Sequence, residues 1–292
     1  MVQPIKLSEI VSSRKRRNSA NDKANNGTDS ESEIDISSTD DEAEENNKVD
    51  DEEEIVNIDF DFYNGNPDVD FHAMKNLSRQ LLGPQESNKI QLSNLADLIL
   101  KSPTTTIKTD GTESDPYCFL SFIDYKENKD SDYAKYLHSK IDSKLTMFFN
   151  NIDNSSNKTC SLVMSERLIN MPPEVVPPLY KITLEDVTTA LGDDKHYDFY
   201  VIVSRKYEVN FDMDNDDTET RKDRTISNDR SKKRVKNDEV DYFHEEDRFF
   251  EKHAKVHFES ESRKGIISSY MVMDHDGLVK SISELEQEIA TW

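Results

Sequence analysis

The residues of this chain best placed for chemistry lie between Leu162 and Tyr180, in the order Leu-Val-Met-Ser-Glu-Arg-Leu-Ile-Asn-Met-Pro-Pro-Glu-Val-Val-Pro-Pro-Leu-Tyr. Cys160, Leu162 and Met164 read as one face of a strand, Ser165 to Asn170 as a polar turn, and Pro172 and Pro173 as the first turn of a helix. Proline suits that position because its missing N–H would have no partner there. A strand that runs into a helix N-terminus is a place where α/β proteins hold anionic ligands. The pair Ser165-Glu166 has the look of a nucleophile at a strand end, but no glycine flanks it and no histidine can be assigned as its base. Ser165 is therefore expected to serve as a turn or capping residue. Arg167 is expected to pair with Glu166 or with a buried carboxylate.

Other chemistries fare worse. Phosphate cradles need closely spaced glycines so that backbone N–H groups can reach the ligand. The seven glycines here stand singly, which excludes a P-loop and a dinucleotide fingerprint. His253 and His257 have the spacing of two ligands on one helical face, yet Val256 and Phe258 point to a strand, so no metal site is expected. Asp212-Met-Asp214-Asn-Asp216 imitates the start of a calcium loop but has Asp217 where the turn needs glycine and Asp223 where a bidentate glutamate belongs. Cys118 and Cys160, each within an apolar run, read as buried thiols of a protein from a reducing compartment. No cofactor is expected.

Positioning such residues falls to a core smaller than the 292 residues suggest, because 34% of the chain is apolar and 33% charged. The net charge of -23 argues against nucleic acid as a direct ligand and for a cationic protein partner. No apolar run is long enough to span a membrane, and none near the start resembles a secretion signal.

Residues 1–54 have no aromatic side chain and are expected to form a disordered tail. The tail is divided by charge. Arg14, Lys15, Arg16 and Arg17 form a compact nuclear localisation signal, whereas 29–54 carries fourteen acidic residues against Lys48 alone. Ser30, Ser32, Ser37, Ser38 and Thr39 each have an acidic residue three positions on, the pattern of acidophilic kinase sites; phosphorylation would deepen the charge. A charged insertion at about 212–239 interrupts the remainder, and its Lys232, Lys233, Arg234 and Lys236 form a second import signal. Limited proteolysis is expected to cut there first.

The folded part, 55–292, reads as an alternation of strands and helices. Strands are expected over 56–62 toward a sheet edge, 104–109, 117–125, 160–164, 199–203, 254–258 and 267–273. A hairpin through Asp110-Gly111 joins the second and third. Helices are expected over 68–82, capped by Asp68 or Asp70 and closed by Gly83-Pro84; over 92–101; as one long amphipathic helix over 131–149; from Pro172 to about 191; and over 245–253 and 277–292.

The motif Leu162-x-Met-Ser-Glu-Arg-Leu-Ile-Asn-Met-Pro-Pro with Pro178-Leu-Tyr180, together with Val56-Asn57-Ile58-Asp59-Phe60 and Glu245-Glu246-x-x-Phe249-Phe250-x-Lys252, resembles the BCCIP family of eukaryotic nuclear proteins, and the acidic tail its fungal members. Ser165, Glu166, Arg167, Asn170, Pro172, Pro173 and Tyr180 carry the family signature. The resemblance implies a single α/β domain with a mixed, twisted central sheet flanked by helices, similar to the GNAT-like acetyltransferase fold but without a coenzyme site or enzyme activity. It also implies residence in the nucleus with shuttling to the cytoplasm and contact with import and export receptors. The implied roles are escort of a large-subunit ribosomal protein and nuclear export of cargo, including a phosphatidylinositol-phosphate kinase. Two other readings stand beside it: an acyltransferase with an atypical site, and an adaptor for cell-cycle or DNA-repair proteins.

Overall fold

The computed structural model describes residues 58–140, 142–192, 195–209 and 239–292. The basic cluster Arg14 to Arg17, the phosphorylatable residues Ser30 to Thr39 and the cluster Lys232 to Lys236 lie outside the described residues.

Eight strands form one mixed sheet in the order β1-β2-β3-β4-β5-β8-β7, with β6 attached to β5. They span Asp61–Asn64 (β1), Thr104–Lys108 (β2), Cys118–Asp124 (β3), Cys160–Arg167 (β4), Phe199–Val209 (β5), Glu239–Tyr242 (β6), Val256–Glu259 (β7) and Ile266–Asp274 (β8). Among the described residues only β4 and β5 run parallel; every other pair is antiparallel. Among the described residues seven helices accompany the sheet: Phe71–Glu86 (α1), Leu92–Lys101 (α2), Asp132–Lys140 (α3), Ser143–Asp153 (α4), Val176–Leu191 (α5), Glu246–His253 (α6) and His275–Ile289 (α7).

Alternation along the strands sends side chains to two cores. Cys160, Leu162 and Met164 of β4 meet Leu77 and Leu81 of α1 and Phe149 of α4 on one face, whereas Val163 joins Leu179 of α5, Phe250 of α6 and Leu285 of α7 on the other. Helices thus cover both faces. Both thiols are buried, and burial pushes the pKa of each up, as suits inert core cysteines.

Several boundaries differ from those the sequence suggests. β1 begins at Asp61, where Lys108 at the end of β2 offers its last partner, so Ile58 to Phe60 of the strand expected over 56–62 lie outside it, and Val56 lies outside the described residues; β1 does lie at the sheet edge. The helical body of α1 breaks at Gly83, whose φ of +76° only glycine adopts freely, just where Gly83-Pro84 was expected to close it. Asp70 occupies the cap position but does not cap. Its carboxylate accepts from the Asn66 amide (2.8 Å) and pairs with the fully buried Lys108 (2.7 Å). The single helix expected over 131–149 is two, because Asp142 accepts the Leu145 amide proton (3.0 Å) and starts α4 afresh. That helix continues to Asp153, into the stretch expected to be loop.

The largest revision concerns the stretch with the most chemistry. Ser165, Glu166 and Arg167 are not in a turn: β4 runs on through Arg167, with Leu120, Phe119 and Cys118 of β3 opposite them. Neither is Ser165 a cap. The turn is confined to Leu168–Pro172, and a 3-10 turn, Pro173–Val175, precedes α5. Glu166 and Arg167, expected in the polar turn, each have a buried partner.

Candidate functional site

β4 and β5 share only four residue pairs, Cys160↔Phe199 to Val163↔Ile202, and the ladder between them then ends. β5 continues to Val209 along β8 on its other side, and β6 takes over the side that β4 leaves, from Lys206↔Tyr242 to Val209↔Glu239. The chain then returns through His244 into α6. A wedge between two parallel strands is thus filled by the segment that follows the charged insertion.

The filling is ionic. Extending the register by three residues sets Glu166 opposite Arg205, and there the guanidinium donates to both carboxylate oxygens (2.9 and 3.1 Å). Gln80 of α1 donates to the same carboxylate (2.7 Å), and the His244 ring nitrogen lies 3.1 Å from it. Arg167, pointing to the opposite face, holds Glu246 in a two-pronged pair (3.1 Å on each arm) and donates to the Met171 carbonyl (2.6 Å). The expectation that Arg167 finds a buried carboxylate is met by Glu246 rather than by its neighbour. All four charged groups are buried. Past Val163, where the backbone ladder ends, the Glu166–Arg205 pair joins β4 to β5 and the Arg167–Glu246 pair ties β4 to α6.

Asp247, one residue further, is buried as well, and its pKa is raised well above the usual carboxylate value, first by burial and then by Glu246 and Glu166. Tyr180, from the proline-rich start of α5, is buried against Phe122 and Phe250. Between these groups a void of about 10 Å³ remains, lined by Ser165, Tyr180, Ser204, His244 and Asp247 among others. It has room for about one water molecule.

The signature residues therefore divide. Ser165, Glu166, Arg167 and Tyr180 converge on the wedge, whereas Asn170 is exposed in the turn after β4 and Pro172 and Pro173 set the entry to α5. Arg205, His244 and Glu246 were not singled out from sequence as a site. Their signal was present: Arg205 breaks an apolar strand, and the acidic run at Glu245 follows a histidine.

His253 and His257 do not share a helical face, since one closes α6 and the other lies in β7. His253 contacts Glu284 (2.8 Å) and His257 contacts Ser269 (2.9 Å). Glu251, His257 and Glu259 do lie close enough together to grip an ion. The Lys206 ammonium, however, pairs with both carboxylates and already supplies the positive charge.

A mixed sheet with helices on both faces, one short parallel seam and an ion-filled wedge defines a single-domain α/β protein with a distinctive strand-to-helix junction. The sequence model of the BCCIP family matches residues 55–250. The chain belongs to the BCCIP family. It is 75% identical over 239 residues to Protein BCP1 of Saccharomyces cerevisiae, covering 82% of this chain and 84% of that one. With Protein BCP1 of Candida glabrata it shares 68% identity over the full length of both. With Protein bcp1 of Schizosaccharomyces pombe it shares 37% identity over 68% of this chain and 72% of that one. The crystal structure of BCP1 from Saccharomyces cerevisiae superposes with a TM-score of 0.69 at 68% identity, covering 84% of this chain and 95% of that one.

Proposed function

We propose that the chain is a non-enzymatic nuclear escort that shields a basic client of the large-subunit ribosomal-protein class. The observation that carries this reading is the net charge of -23. A basic RNA-binding protein gains affinity for RNA by releasing counterions, and an acidic escort competes by the same electrostatics. Binding to a purified basic ribosomal protein should weaken steeply as salt rises; an affinity unchanged between low and high salt would overturn the electrostatic part. Nucleus-to-cytoplasm shuttling through import and export receptors belongs to the same reading. Its test is alanine replacement of Arg14 to Arg17 together with Lys232, Lys233, Arg234 and Lys236, which should reduce nuclear accumulation. Export of a phosphatidylinositol-phosphate kinase is part of the proposal only through the family.

The acyltransferase alternative needs room for an acyl carrier at the junction of β4 and α5. What favours the escort is that Arg167, Glu246, Arg205 and Glu166 fill the space beside it, and that the turn there spends two positions on prolines, which have no N–H to offer. A GNAT-like kinship of the fold is proposed on the same footing, with the junction closed. Calorimetric titration with acetyl-CoA discriminates: micromolar binding would favour the enzyme.

A further inference from the structure

Cations gather at one groove among the described residues of this acidic chain. A groove of about 330 Å³ runs between the Gly83-Pro84 break of α1, the end of α3 and the tip of the β7–β8 hairpin. Leu82, Phe258, Ile266 and Tyr270 give it an apolar floor, and the rings of Phe258 and Tyr270 stack with centroids 6.0 Å apart. Its walls carry Lys140, Arg263 and Lys264 against Glu86 and Glu261. Cations from three segments converge on the Glu86 carboxylate: Lys89 at 2.7 Å, Lys140 at 2.8 Å and Arg263 at 3.0 Å. Burial alone would raise the Glu86 pKa, but hydrogen bonds from Lys140 and Lys89 outweigh it and bring the value down to about 2. Glu86 and Glu261 cannot neutralise Lys89, Lys140, Arg263 and Lys264, so positive charge is left over at the groove in a chain of 60 acidic and 37 basic residues.

We propose that this groove is a docking site for an acidic, aliphatic-bearing stretch of a partner polypeptide, distinct in sign from the surface that takes a basic client. Aliphatic side chains would enter over Leu82, Phe258 and Tyr270, and flanking carboxylates would lie along Lys140, Arg263 and Lys264. The volume falls in the range of roughly 300–1,000 Å³ usual for binding pockets. Lys140 and Arg263 each commit part of their donor capacity to Glu86. What remains is a row of donors along the rim, which suits carboxylates spread along a chain better than one compact anion. The occupant is thus selected by charge complementarity, against a whole-molecule field that repels it.

That repulsion makes the test sharp, because non-specific binding of an acidic peptide to this protein is disfavoured. The probe is a short fluorescent peptide of aspartate, glutamate and isoleucine, titrated against the full chain and followed by anisotropy. Saturable binding is expected, and charge reversal by Arg263→Glu with Lys264→Glu should weaken it at least ~10-fold, about 1.4 kcal/mol. If that variant melts early, Lys264→Glu alone serves, since Glu86 keeps Lys89, Lys140 and Arg263. Absence of saturable binding, or binding indifferent to the reversal, overturns the proposal. So does displacement of the peptide by millimolar inorganic phosphate, which would mark a site for one compact anion instead. A basic client should bind the reversed variant as well as the parent, so failure here leaves the escort reading untouched.

Discussion

The Arg167–Glu246 pair shows how a buried charge depends on its partner. Both ends are withdrawn from water, and each is held by the other along two hydrogen bonds. Removing one end leaves the other charged and desolvated, so Arg167→Met should lower the unfolding free energy by about 3 kcal/mol. Arg167→Met combined with Glu246→Leu should recover part of that loss, and urea unfolding of the four-member cycle measures it; strictly additive effects would disprove the coupling. Asp247 behaves in the opposite sense. Its folded pKa is raised above the unfolded value, so its contribution is most favourable below about pH 3.8 and declines as pH rises toward the folded pKa. Asp247→Asn removes that dependence. The variant should therefore gain stability relative to the parent as pH is raised from 4 to 8, by thermal melts, and a widening parent advantage would refute the burial argument.

Among the elements, the hairpin that bounds the charged insertion has the plainest consequence. Val209 and Glu239 face each other directly, so the ends of residues 210–238 are already as close as a tight turn requires. Replacing 210–238 by Asn-Gly should leave unfolding cooperative and stability equal or higher by up to about 2 kcal/mol, because a long loop costs more entropy to close. A loss beyond 1 kcal/mol in a denaturant titration would mean that the segment contributes to the fold. Elements with strong periodicity were legible in the sequence: the helix over 92–101 has the expected ends, and the edge position of β1 and the hairpin at Asp110-Gly111 follow from alternation and turn chemistry. The break between α3 and α4 was not, since Tyr133, Leu137, Ile141, Leu145 and Phe148 keep one stripe across Asp142, and a stripe does not register a cap. β4 was cut short for a related reason. Local polarity marks Ser165-Glu166-Arg167 as a turn, and only the distant Arg205 and Glu246 reveal that those charges are satisfied inside. The two halves of the wedge are 39 and 79 residues apart in the chain, beyond any local pattern.

On the scale of the whole molecule, the described body and the charged residues 1–54 should have separable effects. Removing residues 1–54 should leave the melting temperature of the body within about 2 °C while reducing the salt dependence of client binding. A tail-free chain with the same salt slope would assign the electrostatics to the body alone. The body itself is not uniformly bonded. β3 and β4 share seven residue pairs, β5 and β8 nine, but β4 and β5 only four. Under tension this inequality becomes a line of weakness: pulled apart by handles in β3 and β8, the molecule should yield first along the parallel seam. A tether experiment should then record rupture in two steps, and Arg205→Met, by removing the ion pair across the seam, should lower the force of the first while sparing the second.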